Sequence, residues 1–152
     1  MRFLRVAFLL AAAFMFAASA IAQEGHPLTG TWYGDFGMNS ANRNDLTVVM
    51  TWDGSTTTGT VNPGPAQIPL KVAKMETTPG QPGQRGQNGQ RGTPAVPPIF
   101  SVHFEVDAKN KAGGMDHFVF DGKIENPVAG NRRIVGTWTC GNTKGDFKLR
   151  RY

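Results

Sequence analysis

The sequence predicts an all-β protein, an eight-stranded antiparallel up-and-down barrel. The main observation is a series of short runs in which apolar and polar residues alternate, which is the period of half-buried strands. Gly, Asn, Asp and Pro separate these runs, and none has the spacing of an amphipathic helix. A closed barrel of eight strands has an interior just wide enough for side chains or one small ligand. A β-sandwich is the structural alternative, because alternation alone fits both architectures.

Four predicted strands precede the glycine-rich middle of the chain. Their inward positions are Leu28, Gly30, Trp32, Gly34 and Phe36 in the first, Leu46, Val48, Met50 and Trp52 in the second, and Ile68, Leu70 and Val72 in the fourth. The third strand is the run at 56–62, which follows a predicted tight turn at Asp53-Gly54. Pro69 marks an edge or irregular position, because proline cannot donate to a β-ladder.

Four more strands follow. Their inward positions are Phe100, Val102, Phe104 and Val106 in the fifth strand, Phe118, Phe120 and Ile124 in the sixth, Ile134, Gly136, Trp138 and Cys140 in the seventh, and Phe147 and Leu149 in the eighth. The motif Gly-Thr-Trp occurs at 30–32 and again at 136–138. This repetition predicts similar settings for the first and penultimate strands, close together at the seam of a closed barrel.

The first 22 residues have the features of a secretory signal peptide. Arg2 and Arg5 precede an apolar run that closes on small residues at 20–22, so we expect cleavage after Ala22 and a periplasmic or secreted protein. The apolar run is too short for a membrane span, and no second long run follows it. An outer-membrane barrel is an alternative, although most of the predicted strands are shorter than such barrels use.

The remaining residues, 23–152, are enough for one domain. Without the leader the chain has 14 basic and 11 acidic residues, a net charge of +3. This mild excess does not indicate a nucleic-acid partner, which usually requires a dense basic stripe. The single cysteine, Cys140, cannot form an internal disulfide, so we expect a filled core and a buried, unreactive thiol.

The segment from Gly80 to Pro94 has glycine at every third position, as collagen does. Only two of its five triplets contain proline, and a rod of this length would separate its ends by roughly 45 Å, too far for consecutive strands of one barrel. The sequence therefore predicts a disordered loop at 77–98. Arg85 and Arg91 lie in it with no acidic residue, so contact with a polyanion or cell-wall polymer is an alternative role.

The inward positions include no carboxylate, histidine or serine, and the chain has no nucleophile elbow, metal-binding helix motif or paired cysteines. We therefore expect no enzymatic activity and no cofactor.

One polar cluster lies on the outward face of the fifth and sixth strands. His103, Glu105 and Asp107 alternate on one strand, and His117 and Asp121 on the next. With either even register of the hairpin a histidine faces an acidic residue, for example His117 with Asp107 and His103 with Asp121. His103, His117 and Asp121 are candidate zinc or copper ligands, but ordinary cross-strand pairs on a solvated face are expected instead, with no metal.

The aromatic residues of the inward phase are the candidate lining of a pocket. They are Trp32, Trp52, Phe104, Phe120 and Trp138, and aromatic walls are common in sites for small apolar or amphipathic ligands. The alternative is a filled core in an envelope binding or structural protein that acts through its outer face and its glycine-rich loop.

Gly30-Thr31-Trp32 in the first strand and Arg150 or Arg151 in the last resemble the signature of the calycin barrels, the lipocalins and avidins. In those families the arginine packs across the tryptophan and closes one end of the barrel. The run LTGTWY at 28–33 is particularly similar to the opening of the avidins, but Gly34 stands where avidins have the asparagine that binds biotin. The resemblance implies an eight-stranded barrel that carries a small ligand.

Overall fold

The computed structural model describes residues 25–85, 92–127 and 130–152. Eight β-strands follow one another: β1 (Gly30–Gly37), β2 (Arg43–Trp52), β3 (Thr57–Val61), β4 (Ile68–Thr78), β5 (Ile99–Lys109), β6 (Met115–Glu125), β7 (Arg133–Cys140) and β8 (Thr143–Arg151). Within these ranges no helix is long and apolar enough to cross a membrane. The predicted signal peptide lies outside the described residues.

The eight strands form one closed antiparallel barrel, which confirms the predicted fold class. Each strand pairs with the next, and β8 pairs with β1 through a ladder that places Leu149 opposite Gly34 and Phe147 opposite Phe36. Because this last ladder joins the two edges of the sheet, the sandwich alternative is wrong. β8 also pairs with β7, so β1 and β7 flank it at the seam, as the repeated Gly-Thr-Trp motif predicted. The predicted similarity of setting is wrong, because Trp32 Nε1 donates to the Leu28 carbonyl before β1, whereas Trp138 Nε1 donates to the Gly37 carbonyl at the end of β1.

The predicted apolar phase faces the interior, where fifteen buried hydrophobic residues of the described ranges form a single core. At the end where β1 begins, the core is formed by Leu28, Trp32, Met50 and Ile134, all at most 1% exposed; we call this the closed end. Leu28 precedes β1, and its carbonyl oxygen accepts a hydrogen bond of 2.7 Å from Trp32 Nε1. This bond satisfies the one polar group of a fully buried indole.

The opposite end of the barrel, where β1 ends, is the open end. Its inward side chains Phe36, Ile68, Ala108 and Phe118 are only half-buried. The outer wall of the barrel carries the charged residues.

The structure corrects the predicted phase of β4. The ladder to β5 shifts between Leu70, which pairs with Val106, and Val72, which pairs with Glu105. A bulge that inserts one residue reverses the side-chain phase beyond it. The prediction that Val72 points inward is therefore wrong, and Ala73 packs against the core instead.

The glycine-rich connection is shorter than predicted at its start, because Thr77 and Thr78 belong to β4. Beyond β4, two isolated bridges, Gln81 to Val96 and Gln84 to Thr93, continue the antiparallel pairing. The two arms therefore lie side by side, and they do not form a collagen-like rod. The middle of the predicted disordered loop lies outside the described residues.

Candidate functional site

The open end of the barrel contains an apolar pocket of about 130 Å³. Its lining includes Phe36, Ile68, Ala108, Phe118, Phe120 and a single polar residue, Asn62. Because several of these side chains are only half-buried, the pocket communicates with solvent at this end. Strands from most of the barrel contribute to it, so the pocket exists only in the closed fold.

Phe36 is the centre of the aromatic wall of this pocket. Its ring meets those of Phe118, Phe120 and Trp138 at centroid distances of 6.1, 5.8 and 5.3 Å, all edge to face. This geometry places the positive edge of one ring against the negative face of another, which stabilises the cluster beyond simple burial. The wall is therefore preformed.

Asn62 lies at the rim of the pocket in a strained backbone conformation, with φ of 48°. Its backbone N–H donates to the carbonyl oxygen of Thr47 at 2.7 Å, and its side-chain Oδ1 accepts from the Thr47 N–H at 3.1 Å. Asparagine tolerates the left-handed region better than most residues, which fits its place directly after β3. The two bonds hold a polar carboxamide beside an otherwise apolar opening.

Three of the five aromatic residues predicted to line a pocket are found together near this site. Phe120 lines the pocket itself. Phe104 stacks on Phe120 one layer deeper, at 4.6 Å and 8° between the rings. Trp138 packs on the far side of Phe36, and its Nε1 donates to the carbonyl oxygen of Gly37 at 3.2 Å.

The other two predicted lining residues lie elsewhere. Trp32 is fully buried at the closed end. Trp52, at the end of β2, is 36% exposed and stacks on His26 with ring centroids 4.4 Å apart. Burial lowers the pKa of His26, so this stack favours the neutral imidazole. The prediction that Trp52 points into the interior is wrong, because β2 extends beyond the rim there.

Sequence reasoning placed Phe36, Ile68 and Phe118 inside the barrel without assigning them to a pocket, and it missed Ala108 and Asn62. The order of the strands could have identified them. Each of these residues lies near the β1–β2, β3–β4 or β5–β6 connection. Because those connections lie at the same end of an up-and-down barrel, inward residues beside them are expected to lie close together.

The polar cluster on the outer wall has the predicted register, with His103 opposite Asp121 and Asp107 opposite His117. His103 Nδ1 lies 2.6 Å from Asp121, and His117 Nδ1 lies 2.6 Å from Asp107. The Nε2 atoms of both imidazoles face Glu105, at 3.1 Å from His103 and 3.6 Å from His117. Five titratable groups therefore form a continuous polar network.

The hydrogen bond to Asp121 raises the pKa of His103, partial burial opposes this shift, and Glu105 adds to it. The hydrogen bond from His117 is the main cause of the lowered pKa of Asp107. In the described part of the chain, no group of three His, Cys, Asp or Glu side chains has a geometry that holds a metal ion. The chemistry visible here is that of surface ion pairs.

Cys140, predicted to be buried, is half-buried at the end of β7, where it pairs with Thr143 of β8. Partial burial, and to a smaller degree the negative charge of Asp116, raise the pKa of its thiol. A raised pKa leaves little thiolate at neutral pH, which agrees with an unreactive cysteine.

The residues that carry the calycin resemblance meet at the closed end. Arg151 pairs with Trp32 across the β1–β8 ladder, and its guanidinium packs against Gly30. A Cβ at Gly34 would overlap the carbonyl oxygen of Lys148, so β8 leaves no room there for a larger residue. An asparagine like that of the avidins does not fit at this position.

The fold and the pocket define a small closed β-barrel with a filled closed end and an apolar opening at the other. No family model, curated protein or solved structure matches the chain.

Proposed function

We propose that this protein is an exported, calycin-like barrel that binds a small apolar or amphipathic molecule at its open end. The observation that carries the proposal is the pocket of about 130 Å³ in a barrel whose interior is otherwise closely filled. An apolar opening exposed to water is unfavourable for the free protein, and an apolar ligand removes that cost.

The volume of the pocket limits the ligand. An apolar cavity of about 150 Å³ holds benzene, so the buried part of the ligand is one six-membered ring or a short alkyl group. A larger ligand leaves its remainder outside, beside the carboxamide of Asn62. This arrangement favours an amphipathic molecule with its polar group at the rim.

The expected affinity is modest. A six-carbon group buried at about 0.8 kcal/mol per CH₂ contributes about 5 kcal/mol, which corresponds to a Kd of about 0.2 mM. Phenol and hexanoate are suitable probes, because each combines a group of this size with one polar end.

The experiment is a titration followed by methyl resonances in the NMR spectrum. We expect saturable shifts at Ile68 in the pocket and none at Ile134 at the closed end, which serves as an internal control. Shifts of equal size at both ends, or none at either, would contradict the proposal.

A pair of variants tests the location. Ala108→Phe places a ring inside the pocket and should abolish the shift at Ile68. Ala41→Phe places the same ring in the exposed β1–β2 connection at the same end and should leave binding intact. Unchanged resonances of Ile134 verify that both variants are folded.

A further inference from the structure

Four basic side chains lie side by side on the outer wall of the barrel, in its closed-end half. Lys123 on β6, Val135 on β7 and Lys148 on β8 form one row across the sheet. Arg133 and Arg150 lie directly opposite each other in the next row towards the closed end. We call Lys123, Arg133, Lys148 and Arg150 the basic face; all are exposed except Arg133, which is half-buried.

None of these four cations forms an ion pair within the described ranges. The basic side chains that do so are Arg43, Lys71, His103 and His117. Glu125 neighbours Arg133 in the ladder, but the two are not in ion-pairing contact. Asp35 neighbours Lys148, but its carboxylate binds Arg43 instead. The basic face therefore keeps its charge available to a partner.

Folding does not explain this arrangement. Like charges directly opposite each other in an antiparallel ladder destabilise the pair, yet Arg133 faces Arg150. The acidic side chains Glu105, Asp107 and Asp121 lie on the β5–β6 wall, where they bind the two histidines. These three carboxylates are therefore engaged on another part of the outer wall and do not neutralise the basic face.

Two exposed tyrosines border the basic face. Tyr33 on β1 lies opposite Arg150. Tyr152 is 96% exposed, and its ring is 6.1 Å from that of Tyr33. Tyrosine is enriched where proteins meet the headgroup region of a membrane, because its ring is apolar and its hydroxyl is polar. Basic residues attract the anionic headgroups of the same region.

We propose that the basic face and its two tyrosines dock the barrel on an anionic phospholipid surface. The two tyrosines favour this occupant, because the headgroup region accepts both an amphipathic ring and a cation. Lys123 also lines a concave part of the outer wall, but the lining includes the acidic residues Glu76 and Asp121, so it is not the positively charged groove that holds a nucleic-acid strand. This surface is independent of the ligand pocket, whose opening lies at the opposite end of the barrel and stays uncovered.

The test uses sedimentation with vesicles of phosphatidylcholine alone or of an equimolar mixture with phosphatidylglycerol. We expect binding to the mixed vesicles only, and its loss as salt is added. Arg133→Gln with Arg150→Gln should weaken this binding about 30-fold, roughly fivefold for each charge removed. Tyr152→Ser should weaken it by a smaller factor.

The matched control removes two charges from exposed positions of the open-end half. Lys111→Gln with Lys144→Gln gives the same net charge and should leave vesicle binding within about twofold of the unaltered protein, because screening limits each charge to its neighbourhood. Equal losses in both double variants, or equal binding to uncharged vesicles, would overturn the proposal. So would a single-stranded oligonucleotide that binds the basic face more tightly than the mixed vesicles do.

Discussion

The two ends of this barrel have the same alternating strands but are filled differently. At the closed end Leu28 and Trp32 have no exposed surface. At the open end Phe36 and Phe118 are half-buried, and a pocket lies between the strands. The difference shows that alternation determines which side chains enter the barrel, whereas the segments that cover each end determine whether space is left there.

The covering segments explain the contrast. At the closed end the chain that precedes β1 turns at His26, where the Thr29 N–H donates to the carbonyl oxygen of His26 at 2.8 Å, and this turn inserts Leu28 over the core. At the open end the β1–β2 connection is exposed throughout and inserts no apolar side chain. One end is thus plugged by the chain itself, and the other is not.

The largest expected effect is that of Trp32→Ala. Removing a fully buried tryptophan leaves a cavity that the barrel cannot collapse to fill, at a cost of about 4 kcal/mol. The variant also leaves the carbonyl oxygen of Leu28 without its donor. Urea denaturation should show this loss, and a decrease below about 2 kcal/mol would mean that the closed end is not closely packed.

Phe118→Ala, at the open end, should have a smaller effect, about 2 kcal/mol, because its ring is already half-exposed. The substitution also enlarges the pocket, so a two-ring compound such as naphthol should gain affinity. Competition with phenol, followed at Ile68, measures this gain. If Phe118→Ala lowered the free energy of unfolding as much as Trp32→Ala does, the two ends would not differ in packing.

The smallest expected effect concerns the outer wall. The pKa of His103 is raised in the fold above its ordinary value of 6.5, chiefly by Asp121. Its protonation therefore stabilises the protein fully below that value, and the stabilisation is lost as the pH rises through the raised pKa. His103→Asn should cost at most about 1 kcal/mol at acidic pH and less at alkaline pH, because the pair is a surface one.

His26 supplies the control for this pH dependence. Burial lowers its pKa, so its neutral form is favoured and His26→Asn should have the opposite trend, a larger effect at alkaline than at acidic pH. Urea denaturation of both variants from acidic to alkaline pH checks the direction in which each loss of stability changes. A pH profile of His103→Asn parallel to that of the unaltered protein would contradict a role for the Asp121 contact.

Much of the architecture and part of the polar network could be predicted from the sequence. Strand alternation specified the inward phase, and the short β5–β6 link allowed the pairing of His103 with Asp121 and of Asp107 with His117, which is confirmed. The pocket lining could not be predicted as well. Alternation specifies a face of the sheet, but not how far along the barrel axis a side chain lies. Trp32 and Phe120 both point into the barrel, for example, but Trp32 is buried at the closed end and Phe120 lines the pocket at the open end.

By itself the sequence determined the all-β class, the number of strands and nearly all the inward side chains, because each depends on a local period of two and on the turn residues between strands. Only the tertiary structure decided the closure of the sheet into a barrel, the bulge that turns Val72 outward, the plug at the closed end and the pocket at the other. These features depend on contacts between segments far apart in the chain. The bulge in β4 and the uncovered open end depend on how the whole barrel closes, and a local sequence pattern does not specify that closure.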